Sequence, residues 1–158
     1  MAAAEIEAEL GIQEVLLLND LEATALGIAT LPPDRIETLH RGAGDGVGNA
    51  ALIAPGTGLG ECGLYWDGQT HHPFATEGGH ATFAPRTDVE RDLAAALAAR
   101  HGHVSWERVC SGPGLAAIHE HLRARAGVPI PGWLAADLAG DPAAAISHAA
   151  LGGRDPLC

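Results

Sequence analysis

The chain has 158 residues, enough for one good core or for pieces of two domains. With 47% hydrophobic and 18% charged residues it is globular in composition, which excludes a disordered chain. A formal net charge of −11, and a basic complement of nine arginines with no lysine, argues against nucleic-acid or anionic-membrane surfaces and excludes a Walker-type or Schiff-base lysine.

Met1-Ala2-Ala3-Ala4-Glu5 has an acidic residue and no basic run, so no signal peptide is read there. No apolar run approaches the roughly 18 residues that span a bilayer. Cys62, Cys110 and Cys158 are widely spaced and odd in number, and they match neither a metal signature nor a disulfide framework. A reducing, cytoplasmic setting is therefore expected.

Ala2–Leu10 is predicted helical, with Ile6 and Leu10 on one stripe and Gly11 as the stop. Val15-Leu16-Leu17-Leu18 reads as a buried strand of parallel type, because it is a short continuous apolar run after a turn. Asn19-Asp20 follows, and Leu21–Leu31 is predicted helical up to the break at Pro32-Pro33. Two readings of Asn19 and Asp20 stay open: a helix N-cap, or ligand-binding residues at the carboxyl edge of a sheet.

Arg35–His40 is expected to be a short edge strand and Arg41–Gly48 a glycine-rich loop. Ala50–Ala54 reads as a second buried strand running into Pro55-Gly56-Thr57-Gly58-Leu59-Gly60. Alternating glycines let successive N–H groups turn toward one anion, and Thr57 adds a hydroxyl. The pattern is not the G-x-G-x-x-G that opens a dinucleotide-binding helix, because Glu61–Trp66 continues as a strand; a hairpin loop without ligand is the other reading. Asp67-Gly68 joins that strand to another over Gln69–Ala75. His71 and His72 are adjacent and point to opposite faces, so no metal site is read from them.

Thr76-Glu77-Gly78-Gly79-His80 places a carboxylate and an imidazole three residues apart across two glycines. A helix would carry that pair at roughly 1–2 kcal/mol of cost, so a turn presenting both polar groups is expected. A solvated glycine turn is the plainer reading. Thr87 and Glu90 form a capping box for the next helix, with Leu93, Leu97 and Ala98 on its apolar face and Gly102 at its end. Ser105–Val109 starts a short helical segment whose Glu107 suits the helix dipole. Ser111-Gly112-Pro113-Gly114 opens a helix to about Ala126 with a Leu115, Ile118, Leu122 stripe. Pro129–Trp133 reads as a linker, Leu134–Leu151 as helix interrupted near Gly140-Asp141-Pro142, and Gly152–Cys158 as the start of a new segment.

Taken together, Leu17-Leu18-Asn19-Asp20, Ala54-Pro55-Gly56-Thr57-Gly58-Leu59-Gly60, Glu77-Gly78-Gly79-His80 through Phe83-Ala84-Pro85, and Gly102–Val109 leading into Ser111-Gly112-Pro113-Gly114-Leu115 recur in one family in this order and spacing. On these residues the chain resembles bacterial glucokinases of the non-ROK branch, which have the actin-like ATPase, ribonuclease H-like fold. The resemblance covers almost the whole chain. It implies an α/β fold, a mixed sheet with flanking helices, with 1–54 the carboxyl-terminal part of a small domain and 55–158 the start of a larger one. It implies ATP-dependent phosphorylation of D-glucose to glucose 6-phosphate, with ATP and Mg²⁺ as cofactors. Asp20 would be the general base for the 6-hydroxyl. Asn19, Glu77, His80 and Glu107, with Asp20, would bind sugar hydroxyls, and Gly56, Thr57 and Gly58 would hold ATP phosphates. A homodimer of the full-length protein is left open.

Two family features are missing: an Asp-x-Gly-Gly-Thr phosphate loop near the amino terminus and a glycine pair near the carboxyl terminus that contacts adenosine. An internal fragment is therefore expected, with the sugar site nearly whole, the nucleotide site partial, and little kinase activity on its own. The alternatives are an inactive sugar-binding fragment and, less well matched because it leaves the phosphate turn unused, a hydrolase with Glu77 and Asp20 as paired carboxylates.

Overall fold

The computed structural model describes residues 2–43 and 46–158, so Met1 and, within the expected glycine-rich loop, Gly44 and Asp45 lie outside the described residues. The chain divides into two compact units. One comprises the residues up to Leu52 with Cys62–Thr76, the other Ile53–Glu61 with Glu77–Cys158. Strands β1 (Ala50–Pro55), β2 (Leu59–Trp66) and β3 (His71–Thr76) form a three-stranded antiparallel sheet in the order β1-β2-β3.

In the first unit, helix α1 (Ala3–Leu10) starts where the Glu5 carboxylate accepts the Ala2 N–H at 2.9 Å and ends at Gly11 with φ 65°. Helix α2 (Asp20–Ile28) is capped by Asn19, ends three residues before the expected Leu31, and packs on β3. The Phe74 ring lies against Gly63, where a Cβ would come within 2.2 Å of it, and Cys62 beside Gly63 is buried. The β2–β3 connection is a four-residue loop, Asp67–Thr70, rather than a two-residue hairpin turn. The Asp67 carboxylate closes it by accepting the Gln69 and Thr70 N–H groups, each at 2.8 Å. Those bonds hold the acid down at about 2, the Thr70 N–H acting most strongly and His72 next. His72 meets Asp67 at 2.7 Å, and His71 meets the Gly48 carbonyl at 2.9 Å.

Two expected strands do not form. Val15–Leu18 has no regular structure, and Leu16, Leu17 and Leu18 are exposed. A strand exists only where a second one takes up its N–H and C=O groups, and no described segment does so here. Arg35–His40 fails for the same reason: Pro33–Arg35 is a 3₁₀ turn, and Leu39 is 92% exposed.

The second unit carries helices α3 (Asp88–His101), α4 (Gly112–Ala126), α5 (Gly132–Leu138) and α6 (Pro142–Leu151), with 3₁₀ turns at Gly78–His80 and Trp106–Arg108. Thr87 and Glu90 cap α3 as the sequence predicts. Leu93 and Leu97 of α3 pack with Phe83 and Val104. Ala98 is exposed, however, and Ala94 takes the place it was expected to fill. A second cluster forms from Leu134, Ala145 and Ala149. α5 starts inside the expected linker, at Gly132, and Asp141 caps α6 at the predicted interruption, accepting the Ala144 N–H at 3.0 Å.

The α4 stripe holds a surprise. Leu115, Ile118 and Leu122 are only half-buried, while His119 and Arg123 are buried. Arg123 donates to His119 at 2.9 Å, to the Pro129 carbonyl at 3.0 Å and to the buried Asp155 carboxylate. Arg154 lies 3.9 Å over the Trp133 ring. Gly152–Cys158 therefore packs back onto this unit through Asp155 and Arg154.

Candidate functional site

Gly56-Thr57-Gly58, Glu77, His80 and Glu107 all belong to the second unit, and Asn19 and Asp20 to the first. In the second unit the predicted pieces meet at Leu59. Its N–H donates to the Glu107 carboxylate at 3.1 Å, across 48 residues of sequence. Its carbonyl oxygen faces Gly79, where a Cβ would stand 2.2 Å away. Gly58, the preceding residue, would put a Cβ 2.5 Å from the same Glu107 carboxylate. The glycine loop, the Glu77–His80 turn and Glu107 thus converge on one peptide.

The segment after the Glu77–His80 turn and the one before Glu107 are tied as well. Thr82 and Ser105 form an antiparallel bridge, the Phe83 N–H donates to the Val104 carbonyl at 2.9 Å and the Trp106 N–H to the Ala81 carbonyl at 2.9 Å. This short ladder fixes the Gly78–His80 turn against the turn that carries Glu107. Glu77 and His80 are exposed, with Nε2 and Oε2 3.6 Å apart, beyond hydrogen-bond reach but close enough to act on one ligand. Glu107 is half-buried.

Ser111 anchors this arrangement from behind. Its hydroxyl donates to the Glu107 carbonyl at 2.7 Å and accepts the Gly114 N–H at 3.1 Å, so the cap of α4 also fixes the backbone of Glu107. α4 meets the glycine loop directly, the Gly112 N–H donating to the Gly56 carbonyl at 2.8 Å. Pro55, Gly56 and Thr57, with the first turns of α4 and α6, border a cavity of about 600 Å³. That size accommodates a nucleotide-sized ligand.

The donors of this loop are fewer than the alternation of glycines suggests. The Gly56 N–H is spent on the Gly58 carbonyl at 2.8 Å, and the Leu59 N–H on Glu107. In α4, Gly112 spends its N–H on the Gly56 carbonyl and Gly114 on the Ser111 hydroxyl, and Pro113 has none. Thr57 keeps its N–H and hydroxyl without a partner among the described residues. Its contribution to an anion is therefore the direct one, and the α4 dipole adds to it.

Asn19 and Asp20 do what the plainer reading holds. Asn19 caps α2, its side chain accepting the Leu21 N–H at 2.9 Å, while the Glu22 carboxylate accepts the Asn19 N–H at 3.0 Å. The Asp20 carboxylate also accepts from the Leu21 N–H, at 2.9 Å, and stays exposed. Both side chains keep oxygen lone pairs for a ligand. Sequence reasoning missed the parts played by Leu59 and by Asp141, which caps α6 on the cavity wall. Leu59 acts through its backbone, which no side-chain pattern reveals. Asp141 was visible only at the interruption before Pro142.

The glucokinase family model matches residues 1–158. A glucokinase of Saccharophagus degradans is 37% identical over 155 residues, which is 98% of this chain and 46% of the relative. One from Aromatoleum aromaticum is 43% identical over 125 residues, 79% of this chain and 38% of the relative. The crystal structure of a glucokinase from an Antarctic psychrotroph superposes with a TM-score of 0.77 at 30% identity, over 98% of this chain and 46% of that one. The chain spans less than half the length of these relatives.

Proposed function

The chain belongs to the glucokinase family, and from that premise we propose that it carries the sugar site and part of the nucleotide site for transfer of the ATP γ-phosphoryl group to the 6-hydroxyl of D-glucose. The observation that supports this most is the meeting of the glycine loop, the Glu77–His80 turn and Glu107 at Leu59. It puts the residues suited to sugar hydroxyls next to the loop suited to phosphate. We assign residues 1–54 to the carboxyl-terminal part of a small domain and 55–158 to the start of a larger one. A cytoplasmic enzyme fits the absence, among the described residues, of any helix long and apolar enough to cross a membrane.

The roles follow from the chemistry. A hexose is a ring of hydroxyls that each donate and accept, so Asn19, Glu77, His80 and Glu107 suit it. Asp20 accepts the proton of the 6-hydroxyl. The oxygen then bonds to the γ-phosphorus as the bond from that phosphorus to the β-phosphate oxygen breaks, and ADP leaves. Of the Gly56-Thr57-Gly58 turn, Thr57 would donate to phosphate at the mouth of the cavity. Phosphoryl transfer asks mainly for positioning and charge neutralisation. Mg²⁺ would do much of that neutralising, held through one or two carboxylates together with the substrate phosphates. Thr57 and Asp141, both on the cavity wall, offer the oxygen donors such a complex needs.

Calorimetric titration with glucose tests the reading. Saturable binding is expected, weakened about tenfold or more in Glu77→Ala, as one lost hydrogen bond to a charged group predicts. Asp20→Ala is expected to lose glucose-dependent ADP release by a larger factor than it loses glucose affinity. A folded chain with no glucose binding, or a Glu77→Ala variant that binds as the parent does, would overturn the assignment.

A further inference from the structure

We propose that Glu61 is a positioning residue of the sugar site: its carboxylate is the seat of Gly78 and so sets where Glu77 and His80 stand. This deepens the reading above and rests on it. No motif of the sequence points to Glu61, which is simply the third residue of β2.

The two glycines between Glu77 and His80 suggest a backbone that a ligand approaches closely. The structure fills that space from inside the protein instead. A Cβ on Gly79 would stand 2.2 Å from the Leu59 carbonyl oxygen, and a Cβ on Gly78 would stand 1.9 Å from Glu61 Oε2 and 2.9 Å from Glu61 Cδ. The turn therefore rests on the first residues of β2 at two points, one a fixed backbone atom and the other a carboxylate. Glu61 is half-buried, and both it and Gly78 are engaged in interactions.

Two bonds close the turn on itself: the His80 N–H bonds back to the Glu77 carbonyl at 3.0 Å and the Ala81 N–H to the Gly78 carbonyl at 2.9 Å. An outward tie, from the Trp106 N–H to the Ala81 carbonyl, lies beyond His80. Removing the Glu61 side chain frees the Glu77 end, so Glu77 and His80 no longer address neighbouring hydroxyls at fixed spacing. The consequence is on sugar affinity and on discrimination between glucose and its epimers. A site built on fixed hydrogen bonds loses both when its geometry loosens.

The test is a double-mutant cycle on the chain, read by glucose titration alongside urea unfolding. Glu61→Ala is expected to weaken glucose binding about tenfold and to narrow the affinity ratio between glucose and mannose or galactose. Glu61→Gln, which keeps the shape and an acceptor, is expected to stay within about threefold of the parent. Gly78→Ala is expected to weaken binding in the parent, where the new methyl meets the carboxylate, and to cost less in the Glu61→Ala background, where it does not. Glu61→Ala binding with parental affinity and epimer ratio would overturn the inference, and so would a Gly78→Ala cost that is the same in both backgrounds. Absence of glucose binding in the parent would instead sink the functional reading, and this inference with it.

Discussion

Leu59 shows how one backbone unit can organise a site. Its N–H orients Glu107 and its carbonyl sets how near Gly79 comes, so the identity of its own side chain matters less than the absence of one at residue 79. Gly79→Ala is predicted to destabilise the chain by about 1–3 kcal/mol, the usual range for overpacking, because a backbone oxygen cannot swing away as a side chain can. Urea denaturation with unchanged slope and a lowered midpoint would bear this out. Gly102→Ala offers the contrast: nothing lies within 4 Å of its Cβ position, and its φ of 75° would be the only source of strain. That Gly78-Gly79 makes a turn was legible in the sequence. Which atoms occupy the missing Cβ positions was not, since those atoms belong to residues nearly twenty positions earlier.

Among the elements, the helix starts were the most readable features. Thr87 with Glu90 forms the expected cap, Asn19 with Glu22 takes the N-cap reading that the sequence left open, and Asp141 before Pro142 caps a helix where the sequence showed only an interruption. Ser111 does more than cap. Because its hydroxyl also bonds the Glu107 carbonyl, Ser111→Ala removes two interactions, whereas Thr87→Ala removes one. Ser111→Ala is predicted to cost about 2 kcal/mol and Thr87→Ala about 1 kcal/mol. Paired urea titrations would show equal losses if the Glu107 link contributes nothing. The strand readings fared worse. Val15–Leu18 and Arg35–His40 had suitable residues, but a strand needs a partner, and no run of residues announces one.

At the scale of the whole chain, the buried trio His119, Arg123 and Asp155 ties α4 to the residues after α6 and gives stability a dependence on pH. Burial, and then the Arg123 charge, holds His119 below its ordinary 6.5, against the opposing pull of Asp155. The unfolded chain therefore binds a proton near pH 6.5 that the folded chain refuses, so stability falls as pH drops below about 6.5 until the folded His119 is itself protonated. The Arg123 bond to Nε2 requires the same neutral ring. Asp155 acts in a lower window. The Leu157 N–H, and after it Arg123, depress its carboxyl, so its contribution is present above 3.8 and is lost as pH falls from there through the folded value. His119→Gln keeps an acceptor for Arg123 without the titration. Between pH 7.5 and 5 its urea midpoint is predicted to fall less than the parent's, and parallel profiles would refute the assignment.

The amino-acid sequence by itself determined the family, the helix boundaries to within a few residues, the turn at Glu77–His80 and the residues with chemistry to offer. These rest on interactions within about four positions of the chain, or on motifs whose order and spacing can be read directly. Only the tertiary structure decided that Glu107 meets Leu59, that Glu61 seats Gly78, that α4 buries a histidine and an arginine in place of its leucines, and that Val15–Leu18 finds no sheet. Each of these depends on a partner far along the chain, 48 residues for Glu107 and 32 for Asp155. The worth of a buried polar group or a bare Cβ position is set by that partner alone.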